Sequence, residues 1–228
     1  MDKNAPIGFF DSGIGGLTVL RTAQEILPCN QSYIYLSDRE FAPYGDKSPE
    51  YITKRSDVCV MRLVSCGCKA VVVACNTATC VAIDYLRKKY TIPIIGVEPA
   101  IMPAVRECGQ NKILVLVTPA CANLEQVGYS KKNLRRLCDN LNAEGYNIIV
   151  SPQTGLATLI ENNLGNCDIL RSACKDILDR YPDICGVVLG CTHYIYLRPY
   201  FEELTNNKIK LFDGNIGVAN RLKTVLSL

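Results

Sequence analysis

The 228-residue chain reads as an α/β protein of two similar lobes, each a parallel sheet flanked by helices, with the active site in the cleft between them. Three observations predict this. Strand and helix signals alternate from end to end, which calls for parallel sheets covered by helices on both faces. Two short runs, Ala70-Val71-Val72-Val73-Ala74 and Gly186-Val187-Val188-Leu189-Gly190, have the β-branched apolar character of buried parallel strands. Each run ends in a cysteine followed by polar residues, Cys75-Asn76-Thr77 in one half of the chain and Cys191-Thr192-His193 in the other. The position after such a strand lies at the carboxyl edge of the sheet, where open α/β folds place their ligand sites.

The elements follow in order. Residues 7–10 form a strand, Gly13-Ile14-Gly15-Gly16 a tight turn, and 17–27 an amphipathic helix. A strand over 32–36 precedes an irregular loop through Pro43-Tyr44-Gly45. Residues 49–66 are helical, 70–74 a strand, 77–90 a helix and 93–97 a short strand. The second half repeats the theme: strand 112–117, mostly helix over 124–144, strand 147–150, helices 156–163 and 168–181, and strand 187–190. A helix over 196–204, a strand over 209–212 and a closing helix over 216–226 complete it. The stretch Glu98-Pro99-Ala100-Ile101-Met102-Pro103-Ala104 is the expected crossover. It divides a first lobe, 1–98 completed by 212–228, from a second lobe, 99–211.

Bulk properties narrow the function. A composition 48% hydrophobic and 21% charged is that of an ordinary globular protein. The formal net charge of +3 is too small to argue for nucleic acid or an acidic membrane surface. The local basic cluster Lys131, Lys132, Arg135 and Arg136 reads as a solvated helix face. No apolar stretch approaches the roughly 20 residues that span a bilayer. The amino end runs into the first strand without a cleavable signal, so the 13 cysteines are expected to be reduced and cytoplasmic. Cys66, Cys68, Cys75 and Cys80 lie close together but lack paired C-x-x-C hooks, and zinc is not expected. Cys59, Cys138, Cys174 and Cys185 fall in helical or strand patterns and read as small core residues.

The residues able to do chemistry gather at strand ends. Asp11-Ser12-Gly13-Ile14-Gly15-Gly16 follows the first strand, where glycines let the backbone approach a ligand and free N–H groups attract an anion. The spacing is neither G-x-G-x-x-G nor G-x-x-x-x-G-K-[ST], so dinucleotide and nucleoside triphosphate sites are poorly supported. A helix beginning just after Cys75 would lower its pKa. Asn76 and Thr77 add groups able to hold a carboxylate. His193, the only histidine, stands close enough to Cys191 to relay a proton. A Cys191–His193 hydrolase uses the same pair, but leaves the equivalent setting of Cys75 unexplained. Two thiols facing one another suit removal of a proton from one side and return from the other.

The chain resembles the glutamate racemases of the aspartate/glutamate racemase superfamily. The matching blocks are Phe10-Asp11-Ser12-Gly13-Ile14-Gly15-Gly16-Leu17-Thr18-Val19, Asp38 with Pro43-Tyr44-Gly45-Asp46-Lys47-Ser48, Ala74-Cys75-Asn76-Thr77-Ala78-Thr79, Gly96-Val97-Glu98-Pro99, and Leu189-Gly190-Cys191-Thr192-His193-Tyr194. The resemblance implies a cofactor-independent racemase, without pyridoxal phosphate or metal, that interconverts L- and D-glutamate for peptidoglycan and acts as a homodimer. Cys191 would take the α-proton of L-glutamate and Cys75 that of D-glutamate, with His193 assisting the former and Asp11 the latter. Ser12, Pro43, Tyr44, Gly45, Asn76, Thr77, Thr118, Glu161 and Thr192 would shape the substrate site.

Two stretches depart from the family pattern. Thr118-Pro119-Ala120-Cys121 places cysteine where the family carries threonine, which makes one substrate contact a poorer hydrogen bond. Gln153-Thr154 replaces the family's Cys-Pro. The rival readings are a racemase for aspartate or another amino acid, and a non-catalytic amino-acid-binding relative.

Overall fold

The computed structural model describes residues 4–122 and 134–228. In chain order the first lobe holds β1 (Ile7–Asp11), α1 (Leu17–Ile26), β2 (Tyr33–Ser37), α2 (Pro49–Ser65), β3 (Ala70–Val73), α3 (Asn76–Lys89) and β4 (Ile94–Gly96). The second holds α4 (Ile101–Cys108), β5 (Lys112–Val117), α5 (Pro119–Ala122), α6 (Leu134–Ala143), β6 (Asn147–Pro152), α7 (Leu156–Asn162), α8 (Cys167–Arg180), β7 (Gly186–Leu189), α9 (Arg198–Thr205) and β8 (Lys210–Phe212). The last helix, α10 (Asn215–Leu226), returns to the first lobe and packs on α1.

The lobes are built alike. Their sheets run β2-β1-β3-β4 and β6-β5-β7-β8, and every pairing is parallel. β1 therefore corresponds to β5, and β3 to β7. In each sheet the chain winds outward in opposite directions from the two central strands, so the crevice at their carboxyl ends is the topological switch point that favours a ligand. Asp11 and Cys75 follow that rule in the first sheet, Thr118 and Cys191 in the second.

Strand periodicity explains how each sheet is sandwiched. Phe10, Val71 and Val73 face a cluster with α2 and α3, whereas Ile7, Phe9, Val72 and Ala74 face α1 and α10. In the second lobe Ile113, Val115 and Val117 join α4 and α6, and Leu114, Leu116, Val187 and Leu189 join α7, α8 and α9. Residues burying both faces of a strand give the continuous apolar runs seen in the sequence.

Differences from the sequence reading have local causes. The expected crossover contains α4, because Pro103 falls in the first turn, where its missing N–H costs nothing. Thr192–Leu197 forms a 3-10 helix leading into α9, four residues earlier than the helical pattern begins. Phe212, expected in the segment that returns to the first lobe, is instead the last residue of β8 and pairs with Val188. Arg135 and Arg136 are exposed on α6, while Lys131, Lys132 and the first part of the helix expected over 124–144 lie outside the described residues.

Candidate active site

A cavity of about 190 Å³ opens between the lobes, lined by Ser12, Arg39, Pro43, Tyr44, Gly45, Cys75, Thr77, Thr118, Gln153, Glu161, Cys191 and His193 among others. Pockets for drug-sized ligands run roughly 300–1,000 Å³, so this one suits a molecule of amino-acid size. Both cysteines lie at its wall and both are nearly buried, 4% and 6% exposed.

Cys75 follows β3 and caps α3, its Sγ accepting the Ala78 N–H at 3.5 Å. Ser12 Oγ lies 3.5 Å from the same sulfur. Burial, and after it the charge of Asp11, push the thiol well above its ordinary pKa, against the pull of Ala78 and Ser12. This corrects the expectation that the helix start would favour thiolate. One backbone N–H at sulfur distance does not offset full desolvation beside a carboxylate. At rest Cys75 is a proton donor.

Asp11 stands behind it, fully buried. Its Oδ2 accepts the Gly16 N–H at 2.7 Å, and Oδ1 has no hydrogen-bond partner. Burial raises its pKa, opposed first by the charge of His193 and then by bonds from Gly16, Ser12 and Cys75. A buried carboxyl beside a thiol can pass a proton to and fro with it.

The glycine loop serves a different purpose from the one its sequence suggests. The anion at this helix start is Asp11 itself. A Cβ at Gly13 would sit 2.8 Å from His193 Nε2, and one at Gly15 would sit 2.6 Å from Thr192 Oγ1. The glycines let the first lobe's backbone close onto the second lobe. Tyr35 and Ser37 hydroxyls hold the loop by donating to the Gly13 carbonyl at 2.9 and 2.8 Å.

Cys191 follows β7, and its sulfur lies 3.8 Å from His193 Nδ1. His193 Nε2–H donates to Glu161 Oε2 at 2.7 Å. Burial alone would lower the imidazole pKa. The bonds to Cys191 and Glu161, with the charges of Cys191 and Asp11, outweigh it and raise the value well above normal. The His193 bond in turn holds the Glu161 carboxyl below its usual range, assisted by Arg39. With Nε2 committed to a carboxylate, Nδ1 faces the thiol and can take its proton.

The rest of the wall is tightly braced by hydrogen bonds. Tyr44 OH donates to Asp38 at 2.5 Å, and Arg55 grips the same carboxylate at 2.6 and 3.0 Å. That fixes the loop carrying Pro43 and Gly45. Thr77 and Thr118 share a hydrogen bond of 3.0 Å across the lobes, and the Ala120 N–H donates to the Gly45 carbonyl at 2.9 Å.

Three expected contact residues stand behind the wall. Asn76 spends its amide on the Val97 carbonyl at 3.4 Å, and Thr192 is 1% exposed. Cys121 is fully buried; its thiol bonds to Cys80, Thr118 and Thr77, so it supports the wall and does not form it. Residues not expected as substrate contacts take places there: Arg39, Asp46, Gln153, Thr158 and Asn162. Gln153 was findable, since it follows β6 as Cys75 follows β3. Arg39 gave no such signal. Among the described residues no cluster of His, Cys, Asp or Glu is arranged to hold a metal ion, and the cavity wall carries no lysine for a Schiff base.

The sequence profile of the Asp/Glu/hydantoin racemases matches residues 17–221. The chain belongs to this racemase family. A glutamate racemase of Clostridium perfringens is 40% identical over 224 residues, 97% of this chain and 83% of that protein. Among solved racemases, the Escherichia coli glutamate racemase in complex with L-glutamate and an activator, UDP-MurNAc-ala, superposes with a TM-score of 0.83. It is 30% identical, over 98% of this chain and 83% of that one. A Bacillus anthracis glutamate racemase isoform gives a TM-score of 0.79 at 30% identity, over 99% and 82%.

Proposed function

We propose that this racemase interconverts L- and D-glutamate by a two-thiol mechanism without an organic cofactor, supplying D-glutamate for peptidoglycan. The observation that carries the reading is that Cys75 and Cys191, from equivalent strand ends of the two lobes, face one small cavity with separate proton partners.

With L-glutamate bound, the Cys191 thiolate removes the α-proton, and the electron pair left on the α-carbon spreads into the α-carboxylate. The Cys75 S–H then delivers its proton to the opposite face. D-glutamate runs the steps in reverse. Hydroxyls of Ser12, Thr77 and Thr118 and the backbone at Gly45 hold the carboxylates, offsetting the charge that develops in the transition state. His193 Nδ1 exchanges a proton with Cys191, and Asp11 does the same for Cys75. Asn76, Thr192 and Cys121 act from behind by fixing these groups.

Two finer points belong to the same reading. No described helix is long and apolar enough to cross a membrane, which fits a cytoplasmic enzyme. Met102 and Ile216, 42% and 61% exposed, border a broad groove on the face where α10 meets the lobe junction and fit a homodimer contact, to be read by light scattering.

Circular dichroism in deuterated water tests the function with L-glutamate, D-glutamate, L-aspartate and D-aspartate in turn. Both glutamate signals should decay to zero with deuterium entering the α-position. Decay of the aspartate signals alone, or of none, refutes the proposal.

A further inference from the structure

Glu161 is gripped from both lobes. His193 of its own lobe donates to Oε2 at 2.7 Å. From the first lobe Arg39 Nε approaches Oε1 at 3.2 Å, and the Ile14 backbone N–H also bonds to the carboxylate. Arg39 opens the 3-10 turn directly after Asp38, whose carboxylate is fixed by Arg55 and Tyr44. Its base is therefore anchored, while its side chain, 69% exposed, crosses the cavity mouth. An ion pair this exposed contributes little to folding. What it delivers is a cation and a geometric constraint at the back of a proton-exchanging pair.

We propose that Arg39 is a positioning residue for the Cys191 side of the reaction: it holds Glu161 against His193 across the cleft, and its charge limits how tightly the imidazole keeps the proton exchanged with Cys191. Glu161 alone would over-stabilise imidazolium and trap that proton. A guanidinium on the far oxygen draws off part of the carboxylate's charge and keeps the proton exchangeable. Because the pair spans the lobes, it braces the two sides of the cleft mouth against one another beside the proton-exchanging groups. The other titratable groups facing this pair are Asp11, Tyr35, Cys191 and Tyr196, and an Arg39 substitution leaves each of these residues in place.

The mechanism rests on the racemase reading, but the test does not. His193 is the only histidine, so nitrogen-15 NMR of histidine-labelled protein follows its titration without interference and without turnover. Arg39→Gln should raise the His193 midpoint by about half a pH unit, the effect of losing one partly screened charge two contacts away. Arg39→Lys should return most of that shift. The pH profile of kcat from L-glutamate should move in the same direction. A His193 titration that superimposes on wild type in Arg39→Gln overturns the proposal. So does an equal shift in Arg39→Lys, or a raised KM with an unmoved titration, which would make Arg39 a substrate contact. Inactive wild-type protein would sink the racemase reading, and the NMR comparison would still decide the role of Arg39.

Discussion

Replacing His193 with asparagine tests the asymmetry of the two half-sites. The imidazole is 5% exposed and does two jobs: its Nδ1 faces Cys191 at 3.8 Å, and its Nε2–H is committed to Glu161 at 2.7 Å. Asparagine keeps a polar group near the thiol but cannot hold a proton. Hydrogen bonds to charged groups are worth about 1.5–3 kcal/mol, and each ~1.36 kcal/mol on a barrier is tenfold in rate. His193→Asn should therefore slow kcat from L-glutamate, where Cys191 must ionise, by about 10- to 150-fold. Racemisation has an equilibrium constant of one, so kcat/KM must fall equally in both directions, and the asymmetry appears only in kcat and KM separately. Stability follows from the same bond. A histidine whose folded pKa is raised stabilises most below its unfolded value near 6.5 and loses that contribution as pH climbs through the folded value. The Tm gap between wild type and His193→Asn should be widest near pH 6 and shrink in alkali. Circular dichroism kinetics from both enantiomers, with thermal melts across pH, supply the measurements. Wild-type kcat and KM in both directions, with an intact melt, would remove His193 from the mechanism.

Cys75→Ala and Cys191→Ala should each lose at least about 10²- to 10⁴-fold in racemisation with the fold retained by circular dichroism, and serine should fail at either site; full activity in either single variant would defeat the two-thiol scheme. Dialysis against a chelator should leave activity unchanged, and the visible spectrum should show no absorbing band; metal-dependent recovery would contradict this. Cys121→Thr should leave the KM for glutamate within about twofold and lower Tm, since the side chain is fully buried among Cys80, Thr77 and Thr118 and overpacking a core costs roughly 1–3 kcal/mol. A tenfold fall in KM would instead make Cys121 a substrate contact.

What was legible in the chain is what is local. Val71-Val72-Val73 before Cys75 and Val187-Val188-Leu189 before Cys191 identify two buried parallel strands, because burial on both faces requires unbroken apolar runs. The shared strand order of the two sheets then makes those thiols equivalents. What was not legible depends on distant segments arriving at one place. The glycines at 13 and 15 read as a ligand cradle, since sequence cannot tell a close approach to a ligand from a close approach to another lobe. Cys75 read as a thiolate because its helix start is visible in sequence while Asp11, 64 positions away in the chain and beside it in space, is not. Arg39 was invisible as a site residue because its meaning lies entirely in Glu161, on the other lobe. These surprises share a direction. The strands place two alike thiols face to face, while long-range neighbours make them unlike, one beside a buried carboxyl and the other beside an imidazole held by a carboxylate. A reaction that must run equally well both ways nevertheless begins from a thiol that keeps its proton on one side and an imidazole poised to accept one on the other. The two directions therefore differ in their proton partners, although the fold that presents the thiols is nearly symmetric.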